Sequence, residues 1–260
     1  MSEVEVAKFQ MTLPIDTMVS AALIVTMAYT VYGLTGFGAS ITGMPLLVLV
    51  VPLQLALPMM LIFDLLAGFI VSIRNRKSAN VRELMRLMPY LVVGMLLGVM
   101  VLVNAPEALL LLLLGIFILS YSIWSLLVSP NEKLISTSWS PAFGVGGGIF
   151  TALFGTGGPI YTIYLSRRVP DKADLRATIS LLVLMAGSIR LVFFSSVGFF
   201  NQEQLLQLLF FMVPCWLLGL YVGSHFHHRM PARRARQVVW VILVFSGVSL
   251  IRQSLIRLAG

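Results

Sequence analysis

The chain has 260 residues, 58% of them hydrophobic and only 11% charged, with a mean hydropathy of +0.96 and a formal net charge of +8. That balance excludes an ordinary soluble domain and belongs to polytopic membrane proteins. The 18 Lys and Arg fall mostly into three short clusters between apolar runs, the pattern of cytoplasmic loops beside anionic headgroups rather than of a nucleic-acid surface.

At the N-terminus, Glu3, Glu5 and Asp16 stand against Lys8, without the basic region and cleavage site of a signal peptide. Apolar runs of bilayer-spanning length then follow one another to the C-terminus, leaving no room for a separate soluble domain. The first of these runs is broken by Gly33, Thr35, Gly36, Phe37, Gly38, Ala39 and Ser40, continuing to Gly43-Met44-Pro45. Intact spans are expected at 54–73, 87–103 and 108–128. A second broken run follows, with Gly144, Gly146, Gly147 and Gly148 just ahead of Phe154-Gly155-Thr156-Gly157-Gly158-Pro159, and then spans at 177–199, 205–223 and 238–257. Leu, Val, Met and Phe fill these spans at helical length, so the expected class is an all-α polytopic membrane protein.

Sliding the second half over the first by roughly 120 positions aligns the two breaks, Pro52 with Pro170, and Leu96-Leu97-Gly98 with Leu217-Leu218-Gly219. The chain therefore divides into a first repeat, 1–130, and a second, 131–260, within one membrane domain. If each broken run were a simple crossing, the loop cations would be shared equally between the two sides. If each is a hairpin returning to the side it entered from, fourteen Lys and Arg lie inside against Lys8 and Arg257 outside. The charge rule thus favours two inverted repeats, each a glycine-broken helical hairpin plus three transmembrane helices, with both termini periplasmic. Whether the hairpins are re-entrant or fully spanning stays open at this point.

Irregular backbone survives at membrane depth only where protein or a wet cavity surrounds it. Free amides at a helix start, with the helix dipole behind them, suit an anion. The expected site therefore comprises Thr35, Gly36, Phe37, Gly38, Ala39 and Ser40 from the first break and Gly155, Thr156, Gly157 and Gly158 from the second. In the second, a helix is expected to start near Pro159, with the amides of Thr156 to Gly158 and the Thr156 hydroxyl facing a ligand. Gly144 to Gly148 read as close helix packing. Two ionisable residues, Asp64 and Arg190, sit deep in equivalent spans, where a charge is costly and marks a pathway or a pair. Arg190 suits an oxyanion through its planar fork. Asp64 suits either a coupling proton or a salt bridge to Arg190. His225, His227 and His228 adjoin a basic loop without acidic or cysteine ligands and read as headgroup-facing, not as a metal site. Cys215 reads as a packed thiol. No HExxH, phosphate-binding loop or Ser-His-Asp arrangement is present, so neither an enzyme nor a cofactor is expected.

At these residues the chain resembles the TauE/SafE (TSUP) family of sulfite and organosulfonate exporters. Gly36-Phe37-Gly38-Ala39-Ser40 leads to Pro45-Leu46-Leu47, and Gly155-Thr156-Gly157-Gly158-Pro159 leads to Tyr164-Leu165. Ala39 and Ser40 replace family glycines, and Tyr164 stands where a proline is usual. The resemblance implies transport, commonly outward, of small sulfur-containing or carboxylate anions across the bacterial inner membrane. The residues themselves lead to a secondary transporter whose repeats rock around a midplane anion site, or else to an anion channel or a scaffold. The expected partners are a small anion and membrane lipids, with room for a homo-oligomer and none for nucleic acid. Reporter fusions at either terminus should behave as periplasmic, and a fusion after Arg86 as cytoplasmic; cytoplasmic termini would refute the inverted arrangement.

Overall fold

The computed structural model describes residues 14–35, 38–75, 79–127, 134–226 and 232–259. Among them are ten α-helices, one short 3-10 turn and no strand. The first half holds α1 (Ile15–Thr35), α2 (Ala39–Leu47), α3 (Leu53–Asn75), α4 (Val81–Asn104) and α5 (Glu107–Leu127). The second holds α6 (Ser140–Phe154), α7 (Gly158–Leu165), α8 (Lys172–Val197), α9 (Glu203–Phe226) and α10 (Ala232–Ala259). Among the described residues, six helices are long and apolar enough to cross a membrane: α1, α3, α4, α5, α8 and α9.

Local chemistry sets the helix ends. Asn80 caps α4 by accepting a hydrogen bond from the Glu83 amide at 3.2 Å. Asp171 caps α8 by accepting from the amides of Ala173 and Asp174 at 2.8 and 2.9 Å. Such caps satisfy donors that the first helical turn leaves open. Both broken runs do form hairpins, and their arms differ. α1 has 21 residues and α2 only 9, while α6 has 15 and α7 only 8. At 1.5 Å per residue each returning arm reaches only about 12–14 Å, less than half of a hydrocarbon core of roughly 30 Å. Neither returning arm is long enough to cross a membrane by itself.

Four long-range pairings build the molecule: α1 with α9, α4 with α6, α3 with α8 and α5 with α10. The first two are backbone-to-backbone. A Cβ on Gly219 or Gly223 would collide with the carbonyl oxygens of Thr26 and Thr30, and one on Gly94 or Gly148 with those of Val145 and Leu91. Small residues at helix crossings allow this approach where lipid gives no hydrophobic drive to associate. Gly144 and Gly148 accordingly serve packing against α4, and Gly147 makes room for the ring of Tyr161, whereas a Cβ on Gly146 would meet nothing.

Polarity follows from which residues meet. Thr26 and Thr30 face Gly219 and Gly223 in the same order, so α1 and α9 run parallel; Gly94 and Gly98 meet Val145 and Ile149, so α4 and α6 do too. By contrast Gly68 faces Leu184, Leu61 and Leu65 face Gly187, and Gln202 donates to the Gln54 carbonyl at 3.3 Å, making α3 antiparallel to α8. Glu107 with Arg257 at 3.2 Å, and Gly115 with Ile251, make α5 antiparallel to α10. With five helices counted to each half, α1–α9 and α6–α4 are the same pairing with the halves exchanged. In the other two pairings a helix meets its own counterpart, running the opposite way.

Gly94→Ala should lower the melting temperature of detergent-purified protein, because overpacking of a close crossing costs about 1–3 kcal/mol. Gly146→Ala should leave it unchanged or raise it, since Ala is the better helix former by about 1 kcal/mol. Equal effects of the two would contradict the backbone contact between α4 and α6.

Candidate functional site

The tip of each hairpin is turned by a glycine in the left-handed region, which only glycine adopts without strain. Gly38 has φ +96° ahead of α2, and Gly155 has φ +72° at the end of α6. At the second tip the Gly155 amide donates to the Thr151 carbonyl at 2.9 Å and the Thr156 amide to the Phe150 carbonyl at 3.2 Å. These bonds close the last turn of α6 in place of water. The Thr156 amide is thus spent on the cap and does not face a ligand, contrary to the expectation from sequence. Its hydroxyl is buried and without a hydrogen-bond partner. A Cβ on Gly157 would collide with the Thr151 hydroxyl and the Gly147 carbonyl, a packing role, whereas nothing would obstruct one on Gly158.

The two tips meet. A Cβ on Gly155 would sit 2.8 Å from the Ser40 hydroxyl and 2.8 Å from Nη1 of Arg190. Ser40 lies in the first turn of α2, beside buried Ala39. Gly36 and Phe37 lie outside the described residues, as does the side chain of Thr35.

Asp64 sits midway along α3 and takes a hydroxyl on each oxygen: Tyr29 donates to Oδ1 at 2.8 Å and Ser40 to Oδ2. Tyr29, on α1, is fully buried. Arg190 sits in α8 with 2% of its surface exposed. Its Nε and Nη2 have no hydrogen-bond partner, and it forms no ion pair with Asp64. The guanidinium lies 4.5 Å from the ring centroid of Phe194, one helical turn along, an attraction that partly offsets the burial of charge. A charge-assisted hydrogen-bond partner is nevertheless missing from a group that always carries its proton.

Asp64, Gly155, Gly158 and Arg190 line one small cavity together with Thr151, Tyr161 and four residues of α3 and α8. Its volume of about 30 Å³ is room for a single water. Thr151 and Tyr161 brace its wall by a hydroxyl pair at 3.0 Å, with the Thr151 hydroxyl also donating to the Gly147 carbonyl at 2.7 Å. Tyr29, Tyr161 and Phe194 escaped sequence reasoning because aromatic residues in apolar helices look like any core; the spacing of four between Arg190 and Phe194 was the one available signal.

A second polar cluster, also absent from the sequence reading, joins the start of α4 to the loop after α7. Glu83, 3% exposed, binds Arg86 at 2.6 Å, Arg168 at 2.8 Å and the Tyr164 hydroxyl at 3.1 Å. Arg168 also donates to the Ile135 carbonyl at 3.1 Å. The Tyr164 hydroxyl is thereby a hydrogen-bond donor to a buried carboxylate. His225 stacks near Tyr221 with ring centroids 6.1 Å apart; His227 and His228 lie outside the described residues.

The family model for the sulfite exporter TauE/SafE matches residues 21–250. A probable inner membrane transporter protein TsaS from Comamonas testosteroni is 23% identical over 193 residues, covering 74% of this chain and 81% of that protein. No solved structure matches.

Replacing Glu83 by Gln should destabilise the protein by about 1–3 kcal/mol, because it strands Arg168 while Arg86 stays solvated. Tyr164→Phe should cost less, on the order of 1 kcal/mol for one hydrogen bond. Thermal or denaturant unfolding in detergent reads both, and equal stability of Glu83→Gln and the parent would show the cluster to be inert.

Proposed function

This chain belongs to the TauE/SafE family of membrane transporters, and from that premise we propose that it exports a small oxyanion held by Arg190 between two re-entrant hairpin tips. One observation carries the reading: a fully buried guanidinium with open donors, unpaired with the nearest carboxylate, beside the glycine turn of a hairpin. A buried cation without a partner is costly, and an anion arriving at its fork removes that cost. The unpartnered Thr156 hydroxyl and the open face of Gly158 lie beside the same tip. Sulfite, organosulfonates and small carboxylates all offer the planar or trigonal oxygens that such a fork takes in pairs.

A cavity with room for one water is too small for any of these anions, so binding requires the tips to part. That favours alternating access by inverted repeats over a standing channel, and the antiparallel α3–α8 and α5–α10 pairings support the inverted arrangement. Asp64 serves as the coupling group in this reading: its oxygens are occupied by Tyr29 and Ser40, and taking up a proton would release one of those hydroxyls at the hairpin tip.

Purified protein should be stabilised against heat by at least one of sulfite, sulfoacetate, taurine, thiosulfate or simple carboxylates, by about 2.7 kcal/mol at a hundredfold excess over Kd. Arg190→Ala should abolish that shift while still yielding folded protein. Asp64→Asn should keep the shift and lose the dependence of vesicle transport on a pH gradient. A ligand shift unchanged in Arg190→Ala removes Arg190 from the site.

A further inference from the structure

An anion bound at Arg190 needs a way out, and a second cavity lies on the side where α3 begins and α8 ends. It measures about 270 Å³ and is lined by Gln54, Leu57, Glu107, Phe199 and Gln202 among others. By the loop charges this is the periplasmic side, opposite the basic clusters at 74–86 and 167–176. Phe199 in its wall stacks on Phe194, with ring centroids 4.7 Å apart and planes 24° from parallel. Phe194 is in turn the ring against which Arg190 rests, at 4.5 Å. A continuous stack of two aromatic rings therefore links this cavity's wall to the guanidinium. We propose that the larger cavity is the outward vestibule for the transported anion and that the Phe194–Phe199 stack is the plug separating it from Arg190. The proposal rests on the reading of Arg190 as the anion site and adds the route of release.

The plug is built to move without unwinding α8. Gly198, at φ +84°, ends the helix; its amide donates to the Ser195 carbonyl at 3.3 Å, and the Phe199 amide to the Phe194 carbonyl at 3.0 Å. The backbone is tied by these bonds, so Phe199 clears the path by side-chain rotation alone, and the ring of Phe194 loses its cover. Along α3 the wall is continuous: Leu57 lines the vestibule and Leu61, one turn on, lines the cavity at Arg190. The electrostatics suit release rather than retention. No Lys or Arg lines the vestibule, and Glu107 at its edge already holds Arg257 at 3.2 Å. An anion that passes the plug leaves buried Arg190 behind and meets, at the vestibule's edge, only a cation already held by Glu107.

A hydrophobic contact between these two positions commonly accompanies a glycine-capped helix end, so the test must separate a plug from a cap. In a Cys215→Ser background, Leu61→Cys reports the inner cavity and Gln202→Cys the vestibule, each probed in spheroplasts with a membrane-impermeant thiol reagent added outside. Gln202→Cys should label at one rate whether or not Phe199 is intact. Leu61→Cys should label about tenfold faster with Phe199→Ala, the scale set by losing one aromatic pair, and Phe199→Leu should fall between. Leu61→Cys labelling unchanged by Phe199→Ala, with Gln202→Cys still labelled, overturns the plug. Gln202→Cys reachable only from the cytoplasmic side overturns the vestibule. Where the Ala variant does not accumulate, Phe199→Leu carries the same comparison. Labelling does not depend on any anion being bound, so a failure of Arg190 to bind would appear in thermal shifts and not here.

Discussion

A helix that stops halfway through hydrocarbon must hand its open backbone groups to something other than water. The second hairpin tip shows how that is done. At the end of α6 the chain closes its own carbonyls with the amides of Gly155 and Thr156, and the closed turn is then seated against the other hairpin at Ser40. The two tips are seated against each other, Gly155 of one half on Ser40 of the other. That contact is possible because α1 and α6 are drawn tightly onto α9 and α4 through glycine contacts.

The charges obey the same constraint. Asp64 and Arg190 lie on antiparallel counterparts, α3 and α8, and line one cavity, yet they do not pair. The carboxylate is satisfied locally by Tyr29 and Ser40, which contribute an arm of the first hairpin each. The guanidinium is left with an aromatic face and open donors. A simple salt bridge would have neutralised both groups and left nothing for a ligand to do. Kept apart, one group is tied to the position of a hairpin, and the other keeps two donors without a hydrogen-bond partner.

Much of this was legible in the chain. The matched glycine breaks, the helical spans and the two deep ionisable residues all come from local composition against a bilayer of fixed thickness, and span ends fell within a few residues of the helices, except where α4, α8 and α10 start earlier. The start of α4 is earlier because Asn80 caps it and Glu83 and Arg86 sit in its first turns, which a hydropathy reading discounts as loop. What the chain hid were relations between distant residues. Nothing local to Tyr29 says that it reaches a carboxylate 35 positions on, nor that Glu83 is shared by Arg168 and Tyr164 across the molecule. Backbone hydrogen bonding at the tips was hidden too: that the Thr156 amide serves the cap depends on the left-handed turn at Gly155. The glycine-rich run before the second tip mixes packing at Gly144, Gly147 and Gly148 with an open position at Gly146, a distinction no composition carries.

The glycine contacts also bear on the order in which the protein can be assembled. The faces of α1 that receive Gly219 and Gly223 have their partner in α9, and that helix is made after nearly all of the chain has entered the membrane. The corresponding face of α4 waits a shorter time, for α6. During synthesis the first half must therefore be held in the bilayer with its hairpin seat vacant. Its tip gains the contact with Gly155 only when the second half has been made. Each half thus carries a helix face whose glycine contacts lie in the other half, and an arrest of synthesis between them would leave those faces without their partners.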